Sequence, residues 1–171
     1  MIKSIVWTTL FAFGFTVLQS TVLINFQLFG IPIPAPDLAL LVLAYSSYVN
    51  GAMVGEVAGF ASGVFLDFLS AAPLGLNAFI RTLIGGLAGR LKGAFFLDKF
   101  LLPMGLAFVA TALKVLVVFI LHFIFGSVVA VYHFNAPQLW IELGLNIILA
   151  PLLFLLLSLF KPLLLQGRQG N

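Results

Sequence analysis

Between Gly51 and Gly93 small residues recur at every fourth position. Gly51, Gly55, Gly59 and Gly63 lead to Asp67 in the first half, and Arg81 leads to Gly85 and Gly89 in the second. Residues four apart share one side of a helix, so these are two ridges with almost no side chain on them. Ridges of this kind let helix backbones approach closely, which is how helices associate in lipid. The pattern therefore calls for tightly packed helix pairs, with Gly55, Gly59, Gly63, Gly85 and Gly89 as the packing residues.

Between the ridges, Pro73 and Gly75 break the helical pattern, and Asn77 stands where it would cap the following helix. An antiparallel hairpin closing near Leu74 places Asp67 opposite Arg81, Gly63 opposite Gly85, Gly59 opposite Gly89 and Glu56 opposite Lys92. Both carboxylates then face cations. At about 100° per residue, Glu56 and Asp67 differ by only about 20° around their helix, as do Arg81 and Lys92, so each pair of charges shares a face.

Composition fixes the medium in which such helices sit. Of 171 residues, 63% are hydrophobic and 8% charged, too little polar surface to clothe a water-soluble globule. The expected fold is an all-α integral membrane protein, a compact bundle of six transmembrane helices forming one domain over residues 1–171. The net charge of +3 comes with no basic run, which speaks against a nucleic-acid partner and fits cations on cytoplasmic loops. The absence of cysteine excludes disulfides, thiolate metal sites and a cysteine nucleophile.

The spans follow in order. Ile5 to Ile24, behind Lys3, is too long an apolar run for a signal peptide and lacks a small-x-small cleavage site, so it reads as an uncleaved first span. Thr8, Ala12, Thr16 and Ser20 give it a small-residue ridge, the expected binding face for a partner span. Pro32, Pro34 and Pro36 make an extended connection to a short second span, Leu38 to Tyr48; Asn50-Gly51 turns into an equally short third, and a re-entrant pair is the alternative. The fourth span covers Asn77 to Leu91. Gly93 to Phe100, with Phe95, Phe96, Asp98 and Lys99, reads as interfacial. Leu101 to Phe125 is the fifth span and Pro137 to Phe160 the sixth, with Pro151 expected to kink it. Six spans put Lys3, Arg90, Lys92, Lys99, Lys161 and Arg168 on one side, and positive loops stay inside, so both termini are expected in the cytoplasm.

The run from Gly59 to Ser70, followed by Pro73-Leu74-Gly75-Leu76 and preceded by Pro36-Asp37-Leu38-Ala39-Leu40-Leu41, resembles the rod-shape-determining MreD family of bacterial membrane proteins. Arg81 is not part of that resemblance. The resemblance implies a protein of the bacterial inner membrane that works with the single-span protein MreC, the cytoskeletal protein MreB and other cell-wall elongation proteins. A six-helix chain of this length also resembles the substrate-binding components of energy-coupling-factor vitamin transporters.

Ionisable groups inside a membrane are functional candidates by default. At about 1.5 Å per residue, Lys114 lies roughly 20 Å and Glu142 roughly 22 Å from the inner face, so the two are placed to meet across the fifth and sixth spans. His122 and His133 are too far apart in sequence to form a metal motif and read as interfacial residues. The chain contains no GxSxG, HExxH or Walker loop, and its glycines follow no strand, so neither an enzyme nor a cofactor is expected.

Three function classes remain. The reading adopted is a non-catalytic scaffold of cell-wall elongation that maintains rod shape by binding an MreC-like partner. The others are a small-molecule-binding component of a vitamin-type transporter and an ion pathway through Lys114 and Glu142.

Overall fold

The computed structural model describes residues 1–21, 27–28, 31–32, 34–70, 72–94, 100–129 and 136–165. Phe95, Phe96, Asp98, Lys99, His133 and Arg168, singled out above, lie outside these residues. Helix α1 spans Ile2–Thr21, and a two-residue antiparallel pairing, β1 Gln27–Leu28 with β2 Ile31–Pro32, precedes α2, Leu38–Asn50. Then come α3 Ala52–Leu69, α4 Leu76–Arg90, α5 Leu101–Phe125 with a 3₁₀ turn at Gly126–Val128, α6 Pro137–Leu159, and the single turn α7, Lys161–Leu164.

Helix α2 is the shaft of the bundle. Its first seven residues are all apolar, as suits an enclosed helix, and every residue from Ala39 to Ser47 is buried. Leu41, Val42 and Tyr45 pack with α1, α5 and α6, while Leu40 and Ala44 pack with α4 and α5, so its opposite sides join two apolar clusters. Its shortness follows from this position, because a helix sheathed by five others need not reach either lipid surface. Four helices, α1, α3, α5 with its 3₁₀ extension and α6, are long and apolar enough to cross a membrane. At 13 and 15 residues, α2 and α4 fall short of the roughly 20 a full crossing takes. The outer surface is apolar as well: Phe123, Ile148, Leu152 and Leu159 are each more than half exposed, as lipid-facing side chains are.

The most intimate pair is α3 with α4, and the glycine ridges meet there, but not in the expected register. Gly55 lies on Gly85, Gly59 on the backbone of Arg81, Gly63 on Ala78, and Gly89 on Ala52; a Cβ added at any of these glycines would collide with backbone across the interface. Gly63 was expected opposite Gly85, so α4 is displaced along α3 by about two turns, some 10 Å at 1.5 Å per residue. Asp67 is the cause. Its carboxylate accepts hydrogen bonds from the backbone N–H groups of Gly75 (3.0 Å), Asn77 (2.9 Å) and Ala78 (3.2 Å) and from Asn77 Nδ2 (2.9 Å). These are the orphan donors of a helix start, and a carboxylate there also meets the positive end of the helix dipole. Asp67 thus seats α4 on the last turn of α3, and Asn77, expected as the cap, lies inside the helix and helps hold the residue that does the capping.

Helix α1 also departs from expectation. Its ridge of Thr8, Ala12 and Thr16, continued by Ser4 rather than by the exposed Ser20, is buried against α2 and α3. The small residues are used to bring α1 into the bundle, and the face expected for a partner span is not available to one. Phe13 meets Phe65 of α3 at 5.1 Å and Phe11 meets Phe160 at 5.2 Å, fastening the middle of α1 to α3 and to the residue that follows α6.

A buried four-charge network as the candidate functional site

Four charged side chains from four elements converge beside the start of α2. Arg81 Nη2 donates to Asp37 Oδ1 at 3.1 Å, and Lys114 Nζ donates to both Asp37 Oδ2 at 2.9 Å and Glu142 Oε1 at 2.8 Å. Arg81 comes from α4, Lys114 from the middle of α5 and Glu142 from the second turn of α6, while Asp37 is the N-cap of α2. Arg81, Asp37 and Glu142 are all buried. Two cations and two carboxylates give the group no net formal charge, the condition under which charges survive in a poorly hydrated interior.

Local chemistry explains why Asp37 holds this place. The chain enters α2 from Pro34 and Pro36, which cannot donate amide hydrogens, so the helix starts abruptly and its first N–H groups need acceptors. Asp37 Oδ1 accepts from Leu40 N at 3.0 Å, and the amide of Asp37 itself donates to Asn146 Oδ1 at 2.9 Å. Asn146, fully buried on α6, donates in turn to Thr111 Oγ1 of α5 at 3.0 Å. Two backbone amides at this N-terminus, level with the middle of α5, are thereby satisfied by side chains.

The structure redistributes the expected ion pairs. Asp67 and Arg81 do not meet: the first caps α4 and the second pairs with Asp37. Glu56 and Lys92 do not meet either. Glu56 Oε1 lies 3.5 Å from Arg90 Nη2 in an exposed contact, and Lys92 Nζ donates to the backbone oxygen of Asn50 at 3.3 Å. Lys114 and Glu142 stand together, with Asp37 as a third member. Nothing in the charge arithmetic of the spans had pointed to Asp37; the signal available was an Asp directly ahead of an apolar run, where a helix cap belongs. His122 Nδ1 donates to Val129 O at 2.6 Å, fastening the end of α5 to the turn that follows.

Chemically the network is a lock. Each carboxylate oxygen named above is taken up by a cation or a helix N–H, and among the described residues no three His, Cys, Asp or Glu side chains gather as a metal site. A profile for the rod shape-determining protein MreD matches residues 1–160, nearly the whole chain, from α1 through α6. The chain belongs to the MreD family. No curated protein and no solved structure matches it. MreD proteins are shape-determining structural membrane proteins, and the apolar helices of this member suit a membrane. Within it, the stretch that resembles the family in sequence, Gly59 to Ser70 and Pro73 to Leu76, supplies the Asp67 carboxylate and one of its donors, the Gly75 amide, while Asn77 and Ala78 supply the others.

Proposed function

We propose that this MreD-family protein is a non-catalytic scaffold of the cell-wall elongation machinery in the bacterial inner membrane, maintaining rod shape by binding an MreC-like single-span protein. The observation that carries the reading is the family match over residues 1–160. The interior supports it. A carrier needs a polar cavity between the outer halves of its helices, and that region here is occupied by Arg81, Asp37, Lys114 and Glu142, bonded to one another.

The same reading places both termini in the cytoplasm, with six crossings in which α2 and α4 are short. Hydrogen bonds at one end of the bundle support this sidedness. Lys3 Nζ donates to Pro162 O at 3.0 Å and Asn50 Nδ2 to Leu164 O at 2.9 Å, while Lys92 reaches Asn50, so Lys3, Lys92 and Lys161 gather at one end, as the positive-inside rule requires.

With the α1 ridge buried, a partner span must bind the outward apolar surface. A photo-crosslinking amino acid placed singly at Val6, Phe13, Phe108, Leu116, Ile148 and Leu155 tests this in cells. Crosslinks to a single-span protein from a contiguous subset of these sites, and rounding of cells depleted of the protein, are the expected results. Protein that purifies with a tightly held nutrient, in cells that keep their rod shape on depletion, would replace the scaffold with a carrier.

A further inference from the structure

Helix α2 packs against both α3 and α4, and the side of their seam turned away from it carries an exposed pair of opposite charges. Glu56 stands in the second turn of α3 and Arg90 is the last residue of α4, with side chains 43% and 65% exposed. Glu56 crosses the seam to reach Arg90. It lies flat over Gly86, where an added Cβ would come within 2.7 Å of its Oε1 and 2.9 Å of its Cγ, so the glycine is what lets the carboxylate onto α4. For a single copy this achieves little. At 3.5 Å the contact is long and exposed, and exposed pairs add little to a fold, whereas a glycine inside a helix weakens it. Among the described residues neither side chain makes another hydrogen bond or ion pair. The rest of this side is apolar or small: Phe60 and Phe79 are each more than half exposed, and the Thr82 hydroxyl between them is turned back to Ala78 O at 2.6 Å.

We infer that this side of the α3–α4 hairpin is the contact surface for a second copy of the chain. Two copies in one membrane share an orientation, so a two-fold axis relating them runs along the membrane normal and preserves depth. Turned about such an axis beside the seam, α3 of each copy faces α4 of the other. Glu56 of each then meets Arg90 of the other at the level where the pair already stands. A cation and a carboxylate on adjacent helices at one depth are thus self-complementary, and two pairs form where each copy alone has one. Phe60 and Phe79 supply apolar area farther along the seam, and Thr82 and Gly86, being small, let the two hairpins come close. Lipid suits the surface less well, because the Glu56 carboxylate repels the anionic headgroups that Arg90 attracts. The inference requires only that the chain lie in a membrane; it is independent of the scaffold reading and leaves the outward faces of α1, α5 and α6 to a partner span.

Förster transfer between donor- and acceptor-labelled copies of the full-length protein tests it, with the label at Lys161→Cys, an exposed site on α7, and the copies diluted stepwise in liposomes. The expected result is transfer above that of randomly placed copies, falling with dilution along a monomer–dimer curve. Glu56→Arg leaves two cations on the surface and Arg90→Glu two carboxylates. Each should weaken association by about tenfold or more, since like charges then face each other, while the melting temperature stays near that of the parent. Mixed in equal amounts, the two variants should associate with each other about as well as the parent does with itself. No contact within one chain can produce that rescue. As a check free of charge reversal, copies carrying Phe60→Cys should form disulfides on oxidation with copies carrying Phe79→Cys, both exposed positions. Parent transfer at the random level, folded single variants that associate like the parent, a mixture no better than its components, or no disulfide between the two cysteine variants would each overturn the inference.

Discussion

Asp37 does three things with one carboxylate: it caps α2 through Leu40, holds Arg81 of α4 and holds Lys114 of α5. Removing one member of a buried ion pair leaves an uncompensated charge, at a cost of about 3–5 kcal/mol. Arg81→Leu alone should therefore destabilise by that order, whereas Arg81→Leu with Asp37→Asn leaves Lys114 and Glu142 as a neutral pair and should cost clearly less than the two single changes added together. Adding Asp67→Asn to Arg81→Leu should give no such relief, since those residues do not touch; thermal melts of all five variants in one detergent decide the matter through their additivity. Lys114 and Glu142 could be brought together from sequence because both lie within long helices, where residue number converts directly to depth. Asp37 could not, because it lies before its helix, and because Asp67 offered Arg81 a plausible but mistaken partner. A carboxylate near a helix start satisfies backbone donors as readily as it satisfies a cation, and sequence spacing does not distinguish the two.

The α3–α4 hairpin separates what four-residue periodicity can show from what it cannot. The small-residue faces were legible because close backbone approach needs them, and backbones do approach at Gly55, Gly59, Gly63, Gly85 and Gly89. The slide of one helix along the other was not, since a four-residue ridge packs nearly as well one turn up or down. Hydrogen bonds to Asp67 choose the register. Asp67→Ala should cost about 1–2 kcal/mol as a lost N-cap, more than Asp67→Asn, which keeps an acceptor, and hydrogen exchange should rise first at the amides of Asn77 and Ala78. Gly85→Ala, whose new methyl would meet the Gly55 carbonyl, should lower the melting temperature sharply. Gly105→Ala, with open space around its Cβ, should be neutral or gain up to about 1 kcal/mol from helix propensity.

At the scale of the molecule, membrane class and helical content were readable from composition and apolar runs, but the role of each helix was not. The α1 ridge looked like an offer to a partner because its neighbours in space were unknown, and the second span looked short for a crossing because its burial inside five other helices was invisible. Sidedness is checked by two single cysteines in this cysteine-free chain. Leu74→Cys, 75% exposed in the α3–α4 connection, should react with an impermeant maleimide from outside the cell, and Lys92→Cys, exposed at the opposite end, only after permeabilisation; the reverse result would invert the topology. The placement of Asp37 also sets a timetable for biogenesis. Besides the backbone N–H of Leu40, three side chains among the described residues bond with its carboxylate or its amide, those of Arg81, Lys114 and Asn146, which leave the ribosome in that order. A nascent chain stopped at residue 94 has one of the three, at residue 129 two, and only past Asn146 does it have all of them. The central helix of the finished bundle is thus the second to be synthesised and the last to be secured. Chains released at residues 94, 129 and 165 should show protease resistance around α2 rising in steps, with the largest gain when Lys114 arrives.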